Sequence, residues 1–148
     1  QAMGFAFVVV SNQSGVGRGL ITEAQAAAVD AQFRDVFRRA GIAFDAVYYC
    51  PHSPEAGCNC RKPLPGLLYR AAEDLDVSLA DSFLIGDKVE DGQAAQAAGT
   101  VGMLITTDPE RACIGSANGL VVFERLAGAL PAIRKMCKKR FTTAVLRH

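Results

Sequence analysis

Phe5-Ala6-Phe7-Val8-Val9-Val10-Ser11-Asn12-Gln13-Ser14-Gly15-Val16-Gly17-Arg18-Gly19 passes from an unbroken apolar, largely β-branched run into a stretch of Gly, hydroxyl and amide residues. A strand with one wet face alternates polar and apolar residues. A continuous run such as Phe5 to Val10 fits a strand covered on both faces, as in a parallel sheet. Ser11 to Gly19 reads as the loop that follows it. Thr22, with Gln25 three residues on, then predicts a capped helix over roughly 22 to 40, carrying Phe33, Val36 and Phe37 on its apolar stripe and stopped by Gly41.

The alternation continues outward from that stretch. Phe44 to Tyr49 reads as a second strand, Pro65 to Leu75 as a helix with Leu67, Leu68 and Ala71 at helical spacing, and Ser82 to Asp87 as a third strand. A short helix over Asp91 to Ala98, stopped by Gly99, precedes a strand over Val101 to Thr106. Leu120 to Phe123 adds a fifth strand, and Glu124 to Lys138 a closing helix. Strands alternating with helices predict an α/β domain with a mainly parallel sheet, here a single domain over residues 1 to 148. In such sheets ligands bind beyond the carboxyl ends of the strands. Three polar segments fall at those ends, Ser11 to Gly15, Cys50 to Lys62 and Asp87 to Asp91, and are expected to converge on one rim.

The middle segment carries the strongest chemical signal. In Cys50-Pro51-His52-Ser53-Pro54-Glu55-Ala56-Gly57-Cys58-Asn59-Cys60, two Cys/His pairs flank a loop that contains Pro and Gly, so four soft ligands can bend toward one tetrahedral centre. Buried thiols or one local disulfide are the plainer alternatives. A Cys58–Cys60 bridge has poor geometry, however, and would leave His52 without a role. With four protein ligands the expected metal is a structural zinc. Arg61 and Lys62 follow at once; a metal-stiffened loop would fix where this planar fork and this point charge are aimed. A solvated surface pair is the other reading. Ser11 and Asn12, with backbone N–H groups in a Gly-containing turn, fit an anion nest, although an ordinary turn has the same composition. Asp87 and Asp91 suit Mg²⁺, which needs few protein carboxylates, with Lys88 between them; Asp91 can equally cap the short helix.

Half the residues are hydrophobic, 21% are charged and the net charge is +1, which gives no reason to expect nucleic-acid or membrane partners. No apolar run approaches the ~20 residues that span a bilayer. Cys113 and Cys137 lie outside the metal-type loop and point to a reducing, cytoplasmic setting, a pairing of the two with each other being the alternative. Arg134, Lys135, Lys138, Lys139 and Arg140 form a basic patch, read as the solvated end of a helix or as a surface for an acidic partner or nucleic acid.

Together, Val10 to Gly15, the Cys50-to-Pro63 block and Ile85-Gly86-Asp87-Lys88-Val89-Glu90-Asp91 resemble the haloacid dehalogenase (HAD) superfamily, and within it the heptose-1,7-bisphosphate 7-phosphatases. The resemblance implies a three-layer α/β/α Rossmannoid fold and a Mg²⁺-dependent phosphatase of a small phosphorylated sugar, monomeric, using an aspartyl-phosphate intermediate. Ser11 would hydrogen-bond the phosphoryl group, with Asn12, Gln13 and Ser14 beside the substrate. Arg61 would recognise substrate, Lys62 would stabilise phosphoryl charge, Lys88 would contact substrate and Asp87 would bind Mg²⁺, with Asp91 in support. Cys50, His52, Cys58 and Cys60 would hold the zinc. The family's Asp-x-Asp motif lies on an earlier, central strand, and residues 1 to 10 contain no Asp. An incomplete sequence lacking that strand is therefore expected, inactive and poorly soluble as these 148 residues alone because strand edges are exposed. Histidinol-phosphate phosphatase is the close enzymatic alternative, and a non-catalytic zinc-stabilised binding module the alternative from another class.

Overall fold

The structure, a computed structural model, describes residues 3–144, with side chains described as far as residue 137. The chain divides into two units, Gln1–Ala80 and Asp81–His148. Each is built around its own parallel sheet.

In the first unit, β1 (Val8–Asn12) runs parallel to β2 (Ala46–Cys50), in register from Val8 opposite Ala46 to Asn12 opposite Cys50. The strand is shifted from the expected Phe5–Val10. Tyr49 and Cys50 offer ladder partners to Ser11 and Asn12, so these two residues extend the strand instead of opening a loop. Before the ladder, Asp45 N donates to Phe7 O at 2.8 Å while Phe7 N donates to Asp45 Oδ2 at 2.7 Å, so a side chain closes this end of the pairing. The residues after β1 are not all loop either: Ser14–Gly17 form one helical turn, α1.

Helix α2 (Glu23–Arg39) starts as its sequence dictates. Thr22 Oγ1 accepts from Gln25 N at 3.1 Å and Gln25 Oε1 accepts from Thr22 N at 2.8 Å, which satisfies two otherwise orphaned donors. Gly41 (φ 79°) provides the left-handed stop. Phe33 and Phe37 on α2 pack with Phe44, ring centroids 4.7–5.2 Å apart, which ties the helix to the approach to β2. Helix α3 (Gly66–Leu75) buries Leu67, Leu68 and Ala71, its predicted apolar face, and packs against β1 and β2.

In the second unit, β4 (Val101–Ile105) lies between β3 (Phe83–Gly86) and β5 (Val121–Phe123), all parallel. Met103 and Leu104 on β4 and Ala94 and Ala95 on α4 (Val89–Ala97) are buried. Helix α5 (Pro109–Ala117) went unforeseen in the sequence reading, although Asp108 caps it, its carboxylate accepting from Glu110 N at 2.9 Å, and Pro109 sits at the favoured first position. Helix α6 spans Leu126–Ala144, longer than expected. Arg134 and Lys135 are exposed on it; the side chains of Lys138, Lys139 and Arg140 lie outside the described residues. Helices between successive parallel strands confirm the α/β class. Among the described residues no helix is long and apolar enough to cross a membrane.

Candidate active site and metal centre

Strand β2 delivers Cys50, buried, at its last position, and the following loop turns back through a 3-10 turn at Pro54–Ala56 and a left-handed Gly57. That reversal brings the ligand atoms of Cys50, His52, Cys58 and Cys60 to within 4.8 Å of one another. Cys50 Sγ lies 3.4 Å from His52 Nδ1 and 3.5 Å from Cys58 Sγ, and His52 Nδ1 lies 3.3 Å from Cys60 Sγ. A tetrahedral zinc with ordinary Zn–S and Zn–N bonds needs ligand–ligand edges of about 3.6–3.8 Å. These three separations lie within a few tenths of an ångström of such edges, the donor set is one that suits zinc, and all of these cysteines are free thiols.

The electrostatics agree. Burial raises the Cys58 thiol, but hydrogen bonds with Cys50 and Cys60 and with the Arg61 and Cys60 backbone outweigh it and bring the group to about 7. Burial pushes Cys60 up to about 12, reinforced by hydrogen bonds and charge repulsion from Cys50 and Cys58. One negative charge is welcome here; another in the same space calls for a cation.

Two structures tie this loop to the end of β1. Gln13 N donates to Cys50 O at 2.8 Å and Gly17 N to Pro51 O at 2.7 Å. A Cβ at Gly17 would meet Ser53 N at 2.5 Å, so the approach of α1 to the metal loop requires glycine. The second tie is Asn12, whose Nδ2 donates to Lys62 O at 3.0 Å while its Oδ1 accepts from Lys62 N at 3.0 Å. Lys62 Nζ then donates to Val10 O at 2.8 Å, which sets the ammonium one residue from Ser11. Arg61 and Lys62 line a cavity of about 290 Å³ with Pro54, Gly57, Cys58, Pro63 and Leu64. Arg61 Nη1 is buried with no hydrogen-bond partner, a desolvated donor left unsatisfied.

The first unit thus brings together Ser11, Asn12, Lys62 and the metal ligands. The carboxylate segment belongs to the second unit. Asp87 and Lys88 follow β3 and are exposed. Asp91 is buried inside α4, its Oδ2 accepting from Lys88 N at 3.1 Å, so the helix-capping role is observed. Gly86 makes room for it, since a Cβ at that position would collide with the Asp91 carboxylate.

Residues 59–127 match the HAD-hydrolase-like family model. A D-glycero-β-D-manno-heptose-1,7-bisphosphate 7-phosphatase of Yersinia pestis is 37% identical over 148 residues, spanning 94% of this chain and 76% of its own. This chain belongs to that phosphatase family. The Escherichia coli K12 relative of the same name is 42% identical over 132 residues, covering 80% of this chain and 69% of its own. The solved D,D-heptose 1,7-bisphosphate phosphatase from B. bronchiseptica, complexed with magnesium and phosphate, superposes with a TM-score of 0.78 at 33% identity, over 93% of this chain and 77% of its own. The family's HAD-like α/β fold, expected from the three loop motifs, is therefore the fold of this chain. Sequence reasoning placed Asn12 beside substrate and missed its bonds to Lys62. No local pattern announces a pairing across fifty positions.

Proposed function

We propose that the protein hydrolyses the 7-phosphate of D-glycero-D-manno-heptose 1,7-bisphosphate. The observation that carries this reading is the placement of the Lys62 ammonium at Val10 O, beside Ser11, by a segment whose other end leads into the Cys/His cluster. The relatives' names support the heptose substrate over histidinol phosphate, and their being enzymes supports catalysis over a binding module.

In this reading the family chemistry begins with attack on phosphorus by the carboxylate of an Asp-x-Asp motif, which residues 1 to 10 do not contain. The sugar oxygen leaves with a proton, and water then cleaves the aspartyl-phosphate to return carboxylate and inorganic phosphate. Lys62 neutralises the charge on the transferring phosphoryl oxygens, and Ser11 Oγ donates a hydrogen bond to one of them. Arg61 receives the substrate from its cavity, with Gln13 and Ser14 on the β1 side. Asp87, with Asp91 behind it, would hold Mg²⁺, whose part is to offset phosphoryl charge. Cys50, His52, Cys58 and Cys60 would hold zinc in a structural role. A monomer in a reducing, cytoplasmic compartment completes the proposal; the free thiols support that setting.

The test is phosphate release by the protein as encoded, with heptose 1,7-bisphosphate and histidinol phosphate offered in parallel. Faster turnover of the heptose, leaving the 1-phosphate intact by ³¹P NMR, is expected. A preference for histidinol phosphate would overturn the assignment.

A further inference from the structure

We propose that Asn12 is a positioning residue for Lys62 and acts on the reaction through that lysine. Residues 59 to 65 form neither helix nor strand, so the backbone N–H and C=O of Lys62 have no ladder to join. Asn12 supplies a partner to each, at 3.0 Å and 3.0 Å. The two bonds close a ring between one carboxamide and one residue, which removes rotation at both ends. The backbone of Asn12 is itself anchored, since it pairs with Cys50 at the end of the β1–β2 ladder. The third bond, from Lys62 Nζ to Val10 O at 2.8 Å, brings the long lysine stem back to the same strand.

Alternation along β1 separates the duties of neighbours. Ser11 and Asn12 project to opposite faces, so the residue beside the phosphoryl site and the residue holding the lysine are adjacent in sequence but differently aimed. A carboxamide engaged on both its oxygen and its nitrogen sets the ammonium's position; it does not read the sugar. Lysine carries a point charge on a flexible stem, so its contribution to transition-state stabilisation depends on being held before the substrate arrives.

This inference rests on the phosphatase reading, and the test separates the two. In the protein as encoded, Asn12→Ala, Lys62→Ala and the double variant are compared by phosphate release from heptose 1,7-bisphosphate. Acting through the lysine, Asn12→Ala lowers kcat roughly 10- to 100-fold with KM changed less than about threefold. The double variant is then no slower than Lys62→Ala alone. Losses that multiply in the double variant, or a raised KM with kcat intact, overturn the proposal and make Asn12 a substrate contact. Amide hydrogen exchange supplies a readout that needs no turnover. In the unsubstituted protein the Lys62 amide is protected, and Asn12→Ala exposes it while Tyr48 and Cys50 stay protected. An unprotected Lys62 amide without any substitution overturns the clamp itself. Full kcat in Lys62→Ala refutes the lysine's role in the phosphatase reading and with it the catalytic value of the clamp, even if the amide is protected.

Discussion

Residues 81–148 surround β4 with a neighbouring strand on each side and bury Met103, Leu104, Ala94, Ala95, Leu120 and Ala129. Residues 1–80 have one two-stranded ladder, and their buried apolar residues are Ala26, Cys50, Leu67, Leu68 and Ala71. To these and to the Phe33, Phe37 and Phe44 cluster the first unit adds ties between distant segments: the Cys/His cluster, the Asn12–Lys62 bonds and the backbone bonds of Gln13 and Gly17. The difference separates two uses of a parallel sheet. Both units bury apolar residues; the first adds polar cross-links, which hold the Lys62 side chain in a defined place.

Metal removal should break the comparison most visibly. Structural zinc contributes on the order of 10 kcal/mol of folding free energy in small peptides. Chelation should therefore strip exchange protection from the end of β2 and from residues 58 to 62, and leave β3, β4 and β5 protected. The pH dependence of metal retention sharpens the point. Cys60 keeps its proton up to about 12 in the metal-free cluster, so zinc must displace it. Proton competition grows as pH falls, and apparent affinity should drop about tenfold per pH unit for each proton displaced. Competition with a chromophoric chelator between pH 8.5 and 6.5 (about two units) reads this slope.

Leu104→Ala is the complementary cut. Leu104 is buried on the central strand, and its truncation should cost about 2–5 kcal/mol in chemical denaturation while metal binding by the Cys/His cluster stays unchanged. The smallest effect belongs to Thr22→Ala, which removes one half of the α2 capping box and should cost about 1 kcal/mol, with neither metal nor the second unit affected.

What could be read in advance follows the range of the forces involved. Thr22 with Gln25, Gly41 and Gly99 were legible because caps and left-handed stops are local. The Cys/His cluster was legible because its spacing is itself the constraint. Ser11 and Asn12 were misplaced into a loop because a ladder partner, Tyr49 and Cys50, decides where a strand ends. Helix α5 had its signal in Asp108-Pro109-Glu110 but only a weak apolar stripe, and was passed over. The Asp91 carboxylate announced both a metal role and a cap; its burial and its bond to Lys88 N display the cap. The Asn12 clamp depends on two segments meeting in space, which no single segment encodes.

The central claim is that the first unit aims the Lys62 ammonium at a phosphoryl site beside Ser11. A crystal structure of the protein with bound inorganic phosphate tests it directly. The account predicts a phosphate oxygen within hydrogen-bond reach of both Lys62 Nζ and Ser11 Oγ, with the Asn12–Lys62 bonds intact. Phosphate bound elsewhere, or Lys62 turned away from it, would contradict the account.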